Sequence, residues 1–193
     1  MKLHLKTPIF LLMLMSFSFL ITGCALNDQY LVLDPKIYAT ESDIGAGKTI
    51  ELGVRDKRSN SKLGEIKDVR KDTFSVEVKQ GFTTNIKNKV ADALERKGFK
   101  IDESDIKMVV DVETLGLSSI KYPLTFKTDL EAIISVNVEN GDENYGNRLR
   151  IVTTKETPGP PYAADSTELV NEAVSTLLTD MLGSEKLLKV LTK

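Results

Sequence analysis

The 193-residue chain has no tryptophan, one cysteine (Cys24) and one histidine (His4). A lone cysteine excludes an intrachain disulfide. Beyond Cys24 there is no thiolate nucleophile, no histidine base and no His or Cys metal ligand, which removes the commonest catalytic and metal chemistries. Neither sign of charge dominates: 26 basic side chains face 28 acidic ones. No nucleic-acid partner is expected from such a balance. No cofactor and no metal are expected either. Charged residues make up 28% of the chain; with clear aliphatic periodicity, they describe a folding domain rather than a disordered one.

What is present is concentrated first at the N-terminus. Lys2, His4 and Lys6 precede an apolar run from Ile9 to Ile21, which closes on Ile21-Thr22-Gly23-Cys24. A basic start, a short apolar core and small exit residues describe a bacterial secretory signal. The run is shorter than the roughly 20 residues of a membrane-spanning helix. Its last four residues resemble a lipobox, the signature of bacterial lipoproteins. That resemblance implies acylation of Cys24, palmitate included, and removal of residues 1–23. With Lys2 and Lys6 gone, 24 basic side chains would face 28 acidic ones. Ala25 follows the cysteine, not the Asp typical of inner-membrane retention. Sorting to the outer membrane is therefore expected, with the domain facing the periplasm.

Residues 24–48 read as the lipidated cysteine and a tether. Tyr30–Leu33 is its one apolar patch, stopped by Asp34-Pro35 and readable as a short edge strand or a segment lying on the domain, and Ser42–Lys48 is polar and glycine-rich, as a linker should be. Residues 49–193 read as one periplasmic domain. Strands are expected over Ile50–Asp56, Thr73–Val78, Ile106–Val112, Phe126–Glu139 and Tyr145–Thr154, each with alternating apolar and polar residues. Lys57–Lys62 reads as a loop. Asn140-Gly141 is a strong hairpin signal, and Arg148 and Arg150 should face solvent opposite acidic neighbours. Phe82, Ile86, Val90 and Leu94 form a helical stripe over 82–97, which Gly98 ends. Thr157–Pro161 can be neither helix nor central strand. Asp165, with Glu168 three residues on, is expected to open the last long helix. Ser184 is expected to cap a short C-terminal one.

This order predicts an α+β fold, a two-layer sandwich. The sheet should be mostly antiparallel, with the two main helices on one face and a short C-terminal helix. Leu130, Ile134, Val136, Ile86, Val90, Val174 and Leu178 should be buried together.

Gly45-Ala46-Gly47-Lys48-Thr49 is similar to a phosphate-binding loop, but Ser42 stands where the first glycine belongs. It also precedes a strand instead of a helix, so it fails both tests of the motif. Asp56 and Arg58 follow the first strand, with Asp68 and Asp72 beyond. They suit a turn-organising pair or part of an interaction surface. Asp102, Glu103 and Asp105 lack the ligand order of a calcium loop. Leu187, Leu188 and Leu191 widen the C-terminal apolar face beyond one stripe, as core or as an exposed patch for a partner. No catalytic pair stands out. A carboxylate-dependent hydrolase of envelope glycan is the alternative to a non-catalytic module.

The lipobox, the strand ending Val54-Arg55-Asp56-Lys57-Arg58 and the following Leu63-Gly64 together resemble the YajG family of bacterial lipoproteins. So do the helix closing on Gly98-Phe99, Asn140-Gly141 and Val170-Asn171-Glu172-Ala173-Val174. The likeness spans about residues 30–192. The Pro-Gly-Pro-Pro stretch at 158–161 departs from the family pattern. The resemblance implies an envelope lipoprotein without an assigned enzymatic activity, joined to the membrane through Cys24. An envelope protein or cell-wall component is the expected partner.

Overall fold

A computed structural model describes residues 27–67 and 73–193. The expected signal, Cys24, Ala25, Asp68 and Asp72 lie outside the described residues.

Strand β6 (Lys107–Lys121) organises an eight-stranded mixed sheet. One edge pairs antiparallel along its whole length with β7 (Phe126–Asn140), which pairs in turn with β8 (Glu143–Thr157). The other edge is shared. Strand β2 (Thr49–Asp56) runs parallel to its first half, from Glu51 opposite Lys107 to Asp56 opposite Val112. Strand β3 (Lys62–Lys67) runs parallel to its second, with Gly64 opposite Leu117 and Glu65 opposite Ser118. Antiparallel to β3 lies β4 (Thr73–Val78), and β1 (Gln29–Leu31) adds to it in parallel. The two-residue β5 (Lys100–Ile101) pairs with β2.

The expected α+β class holds, but the sheet carries four parallel pairings: β1/β4, β2/β5, β2/β6 and β3/β6. Parallel neighbours need a crossover rather than a hairpin. Here helix α1 (Phe82–Glu95) lies between β4 and β5 and returns the chain to the start of β6. Single-strand periodicity carries no information on that direction. Strand β3 falls where a loop ended and no strand was expected. Its apolar residues, Leu63 and Ile66, are three apart around a register shift near Gly64, so the alternation is broken.

Helix α2 (Ala163–Gly183) and helix α3 (Glu185–Thr192) complete the elements. Along β7, Phe126, Thr128, Leu130, Ala132, Ile134, Val136 and Val138 are buried, while most intervening residues are not. Ile86, Val90 and Leu94 of α1 join Val174 and Leu178 of α2 in one cluster with Leu130, Ile134 and Val136. All seven side chains expected to be buried together are therefore buried together.

Helix starts and turns differ locally. Helix α2 begins at Ala163, and Asp165 sits inside its first turn, accepting a hydrogen bond from the Tyr162 amide (3.1 Å). Proline and glycine end at Pro161, so nothing delays helix formation to Asp165. Ser184 does cap α3, its hydroxyl accepting from the Leu187 amide. The β7–β8 turn is Gly141-Asp142, because Asn140 pairs with Glu143. The turn falls one residue later than Asn140-Gly141 implied, with the positive φ at Gly141 alone.

The stretch read as a tether is packed from Gln29 onward. Leu31, Leu33 and Ile37 are buried, while Tyr30, Val32, Lys36 and Tyr38 point outward. Past Leu31 this extended belt has no strand partner, so its amides go to side chains of α2. Asp34 N donates to Asn171 Oδ1 (2.8 Å), Lys36 N to Ser175 Oγ (2.8 Å) and Tyr38 N to Thr179 Oγ1 (3.2 Å). The spacing explains the fit. Two residues of extended chain advance about 6.6 Å, and four residues of helix advance about 6 Å. From α1, Asn85 Nδ2 donates to the Leu33 carbonyl and Arg96 Nη2 to that of Ile37.

The segment Ser42–Lys48, expected to be a linker, is a tight brace on the end of α1. Gly45 N donates to Lys97 O and Gly47 N to Gly98 O, both at 2.8 Å. Those amides are the groups a phosphate loop would present. A Cβ on Gly45 would stand 2.6 Å from the backbone of Gly98 and Phe99. Glycine is therefore required there by close packing, not by flexibility.

Gly64 is the tightest contact in the sheet, since a Cβ there would lie 1.8 Å from the Leu117 carbonyl oxygen. Gly64→Ala is expected to push β3 off β6 and to cost about 3 kcal/mol or more, the upper end of overpacking effects. Urea unfolding measures this, and a midpoint equal to that of the wild type would contradict the close β3–β6 approach.

Candidate functional site at the end of strand β2

Four consecutive charged residues, Arg55, Asp56, Lys57 and Arg58, leave the sheet where β2 ends. Strand alternation sends them in different directions. Arg55 lies opposite Asp111 of β6, and its guanidinium grips that carboxylate with two bonds, Nε to Oδ1 at 2.6 Å and Nη2 to Oδ2 at 2.9 Å. Lys57 Nζ adds a third contact at 2.9 Å. The Asp111 side chain is 1% exposed, whereas both cations remain about half exposed. The hydrogen bonds from Arg55 outweigh burial, and with help from Lys57 they hold the Asp111 carboxyl below its ordinary range.

Asp56 and Arg58 form the turn-organising pair expected of them. The Asp56 carboxylate accepts from the Arg58 amide (3.1 Å), Nε (2.9 Å) and Nη2 (3.0 Å). Burial acts to raise the Asp56 pKa, and the bonds from Arg58 overcome it and leave it lowered. Arg58 is not a surface arginine: its side chain is 6% exposed and lies over the Phe82 ring, 4.7 Å from the centroid. Its Nη1 has no hydrogen-bond partner, so the aromatic face of Phe82 is its nearest compensation. The pair fastens the β2–β3 connection to the first residue of α1, and its arginine is unavailable to a partner in this conformation.

The second expected surface is not a surface at all. Leu187 and Leu191 are fully buried and Leu188 is 9% exposed. Helix α3 turns its leucines onto the sheet and is held by Asn140 Nδ2 donating to Val190 O (2.8 Å). An eight-residue helix must bury a broad face to stay docked, which is why its apolar stripe looked too wide.

The rest of the site lies along β6–β8. Arg148, opposite Ser135, pairs with Glu113, and Arg150, opposite Ile133, pairs with Glu131, each at 2.6 Å, so the expected acidic neighbours are present on the diagonal rather than directly across. Asp129 takes a hydrogen bond from Thr154 and an ion pair from Lys127. Glu113 is held low chiefly by Arg148 and then Ser135, Asp129 chiefly by Thr154, and Glu143 chiefly by Lys193. Every carboxylate with a displaced pKa among the described residues is thus displaced downward. A general acid needs the opposite displacement. Among the described residues no group of three or more His, Cys, Asp or Glu is placed to hold a metal. In the Asp102–Asp105 loop, Asp102 Oδ1 accepts from the Glu103 amide and Ser104 Oγ donates to Thr49 O.

Alternation with Val110 and Val112 puts Asp111 on the polar side of its strand, but nothing local names its partners. The signal was the shared alternation of Arg55 and Asp111, which becomes a pairing only once β2 and β6 are neighbours.

Two predictions test these placements. Leu191→Ala should cost about 2–5 kcal/mol, as for other buried leucines, and thermal unfolding checks it; a change within error would return the residue to the surface. Asp111→Ala should cost about 1–2 kcal/mol at pH 7, a value kept low because both cations stay hydrated. The Asp111 pKa is lowered on folding. Its contribution is therefore full above the unfolded value of about 3.9 and fades as pH falls through the folded value. Chemical unfolding at pH 7 and near pH 2.5 should show the gap between mutant and wild type closing in acid. An unchanged gap would mean that packing, not charge, holds Asp111.

Comparisons with known proteins agree with the resemblance read from the residues. A family model described as "uncharacterized lipoprotein" matches residues 35–192. No curated protein matches the chain. Among solved structures, protein XCC0632 from Xanthomonas campestris, of family DUF330, aligns with a TM-score of 0.53 at 12% identity. The alignment covers 82% of this chain and 95% of that one, and at this identity the likeness is one of fold. A neuraminyllactose-binding hemagglutinin homolog from Helicobacter pylori aligns at TM-score 0.43 and 10% identity, covering 81% and 95%. A minor lipoprotein from Acinetobacter baumannii aligns at 0.40 and 9%, covering 76% and 94%. The family match spans most of the chain, and the protein belongs to the YajG family of uncharacterized lipoproteins.

Proposed function

We infer that the protein is an outer-membrane lipoprotein, anchored through acylated Cys24. Its periplasmic domain is a non-catalytic binding or assembly module of the envelope. The observation that carries this reading is the lipobox Ile21–Cys24 in a chain whose residues 35–192 match a lipoprotein family. Among the described residues no helix is long and apolar enough to cross a membrane. Several acyl chains on one cysteine would exceed the two-signal requirement for stable anchoring.

The non-catalytic part rests on side-chain chemistry. Past Cys24 the chain has no histidine and no cysteine, and its perturbed carboxylates are committed to cations or hydroxyls. A two-layer arrangement accounts for the burial pattern. The helices and the belt cover one face of the sheet, and the ion-paired residues of β6–β8 form the other. That second face is polar, broad and uncovered by any described element, which suits a polar envelope protein or cell-wall partner.

Cys24→Ser should abolish acylation and release the protein from membranes or stall it as precursor. Membrane fractionation with metabolic labelling by a fatty acid reads this directly. A mutant that matures and fractionates like the wild type would sink the anchor.

A further inference from the structure

The end of the domain at which β1 enters the sheet carries a cluster of exposed apolar side chains, Ile120, Tyr122, Leu124 and Tyr162. Strand register shows which end this is. Asp28 accepts a hydrogen bond from the Ser75 amide (2.8 Å); Ser75 pairs with Glu65, and Glu65 with Ser118. Asp28 thus lies level with Ser118 on β6. Strand β1 enters the sheet parallel to β4, which runs away from the β6–β7 turn. The chain before Asp28 therefore comes from the side of that turn.

Beyond Ser118 the β6–β7 hairpin continues for three paired residues, to Lys121 opposite Phe126. This adds about 10 Å at about 3.3 Å per residue, and the turn Tyr122–Thr125 lies further out, closed by Tyr122 N donating to Thr125 O. Cys24 is four residue steps from Asp28, a span of at most about 14 Å. Four steps are thus long enough to bring the chain level with the hairpin tip.

The tip concentrates exposed apolar side chains within five residues. Ile120, Tyr122 and Leu124 are exposed, Leu124 at 86%. Exposed Tyr162 lies at the same end, since Thr157 pairs with Phe126 and Pro161 O accepts from Gln29 Nε2. Exposed Lys67 and Lys121 flank the tip. Leucine and tyrosine with lysines around them suit the boundary between headgroups and acyl chains, where lysine stems lie along apolar surface and their charges reach phosphate.

We propose that the β6–β7 hairpin tip, Ile120–Leu124, is a second membrane contact that seats this end of the domain on the lipid surface holding Cys24. The contact rests on the lipoprotein reading above. It fixes the domain's orientation, with the β7–β8 turn at Gly141-Asp142 pointing away from the bilayer.

The chain has no tryptophan, so a single introduced one reports its own surroundings. Full-length acylated protein carrying Leu124→Trp, and separately Asp142→Trp, is reconstituted in phosphatidylethanolamine–phosphatidylglycerol vesicles with or without brominated acyl chains. Both side chains are exposed, and circular dichroism checks each fold. Apolar side chains at such contacts bury about 5–10 Å, so brominated lipid should cut the Leu124→Trp emission by about half or more and leave Asp142→Trp unchanged. Vesicle flotation without quenching at 124, or with quenching only at 142, overturns the contact and leaves the anchor standing. Failure to float overturns both readings. A Leu124→Trp emission shift that requires added envelope protein, with no lipid quenching, assigns the tip to a protein partner and overturns the proposal.

Discussion

Everything in this fold leans on both edges of β6 being occupied. Its 15 residues satisfy one edge with a single long partner, β7, and the other with β2 and β3 placed end to end. Backbone donors and acceptors in a buried strand must be paired, so the β2–β3 connection can leave the sheet only where β6 finds other relief. The register shift between Val112 and Thr114 falls at that gap. The charged run Arg55–Arg58 occupies the same gap and fastens it twice, to Asp111 and to Phe82.

The belt of residues 29–48 is the second constraint. An extended segment without a strand partner has to find acceptors for its amides elsewhere, and α2 offers Asn171, Ser175 and Thr179 at helical spacing that matches. Small polar residues at every fourth position of a helix normally face solvent; here they act as a ladder. The same belt buries Leu33 and Ile37 against the core. The segment nearest the expected anchor is thereby part of the domain.

The polar face of β6–β8 carries alternating cations and carboxylates in matched pairs. Such pairs contribute little stability individually. They do keep a large sheet face soluble and discourage pairing with a wrong strand, which matters beside the long edge of β8. The same matching removes the uneven carboxylate environments that acid–base catalysis uses.

Much of the fold was legible because local rules carried it. Alternation located β2, β4, β7, β8 and the first half of β6, and the Phe82–Leu94 stripe located α1, since one-sided burial imprints its own period on each element; past the register shift at Val112–Thr114 the rest of β6, to Lys121, was not expected. The seven core residues followed from those faces. The start of the belt was legible as a short edge strand at Tyr30–Leu33, but strand β3 and the rest of the belt were not. Leu63 and Ile66 are out of phase around a register shift, and the belt's polar and glycine-rich residues look alike whether they are solvated or bonded to a helix. The C-terminal leucines were ambiguous for a related reason: an apolar stripe records that something covers it, but not what.

By itself, the sequence determined the likeness to a lipoprotein family, the α+β class, the helices, β7, β8 and the first half of β6, and the absence of His and Cys chemistry past Cys24. Each of these is a property of composition or of short-range period. Tertiary structure alone decided that β2 and β3 run parallel to β6, that Asp111 receives Arg55 and Lys57, and that Arg58 turns inward onto Phe82. It also decided that the leucines of α3 are core and that the hairpin tip shares an end with the chain's entry. These are contacts between residues far apart in the chain. Their partners are chosen by strand direction and register, which no local pattern encodes.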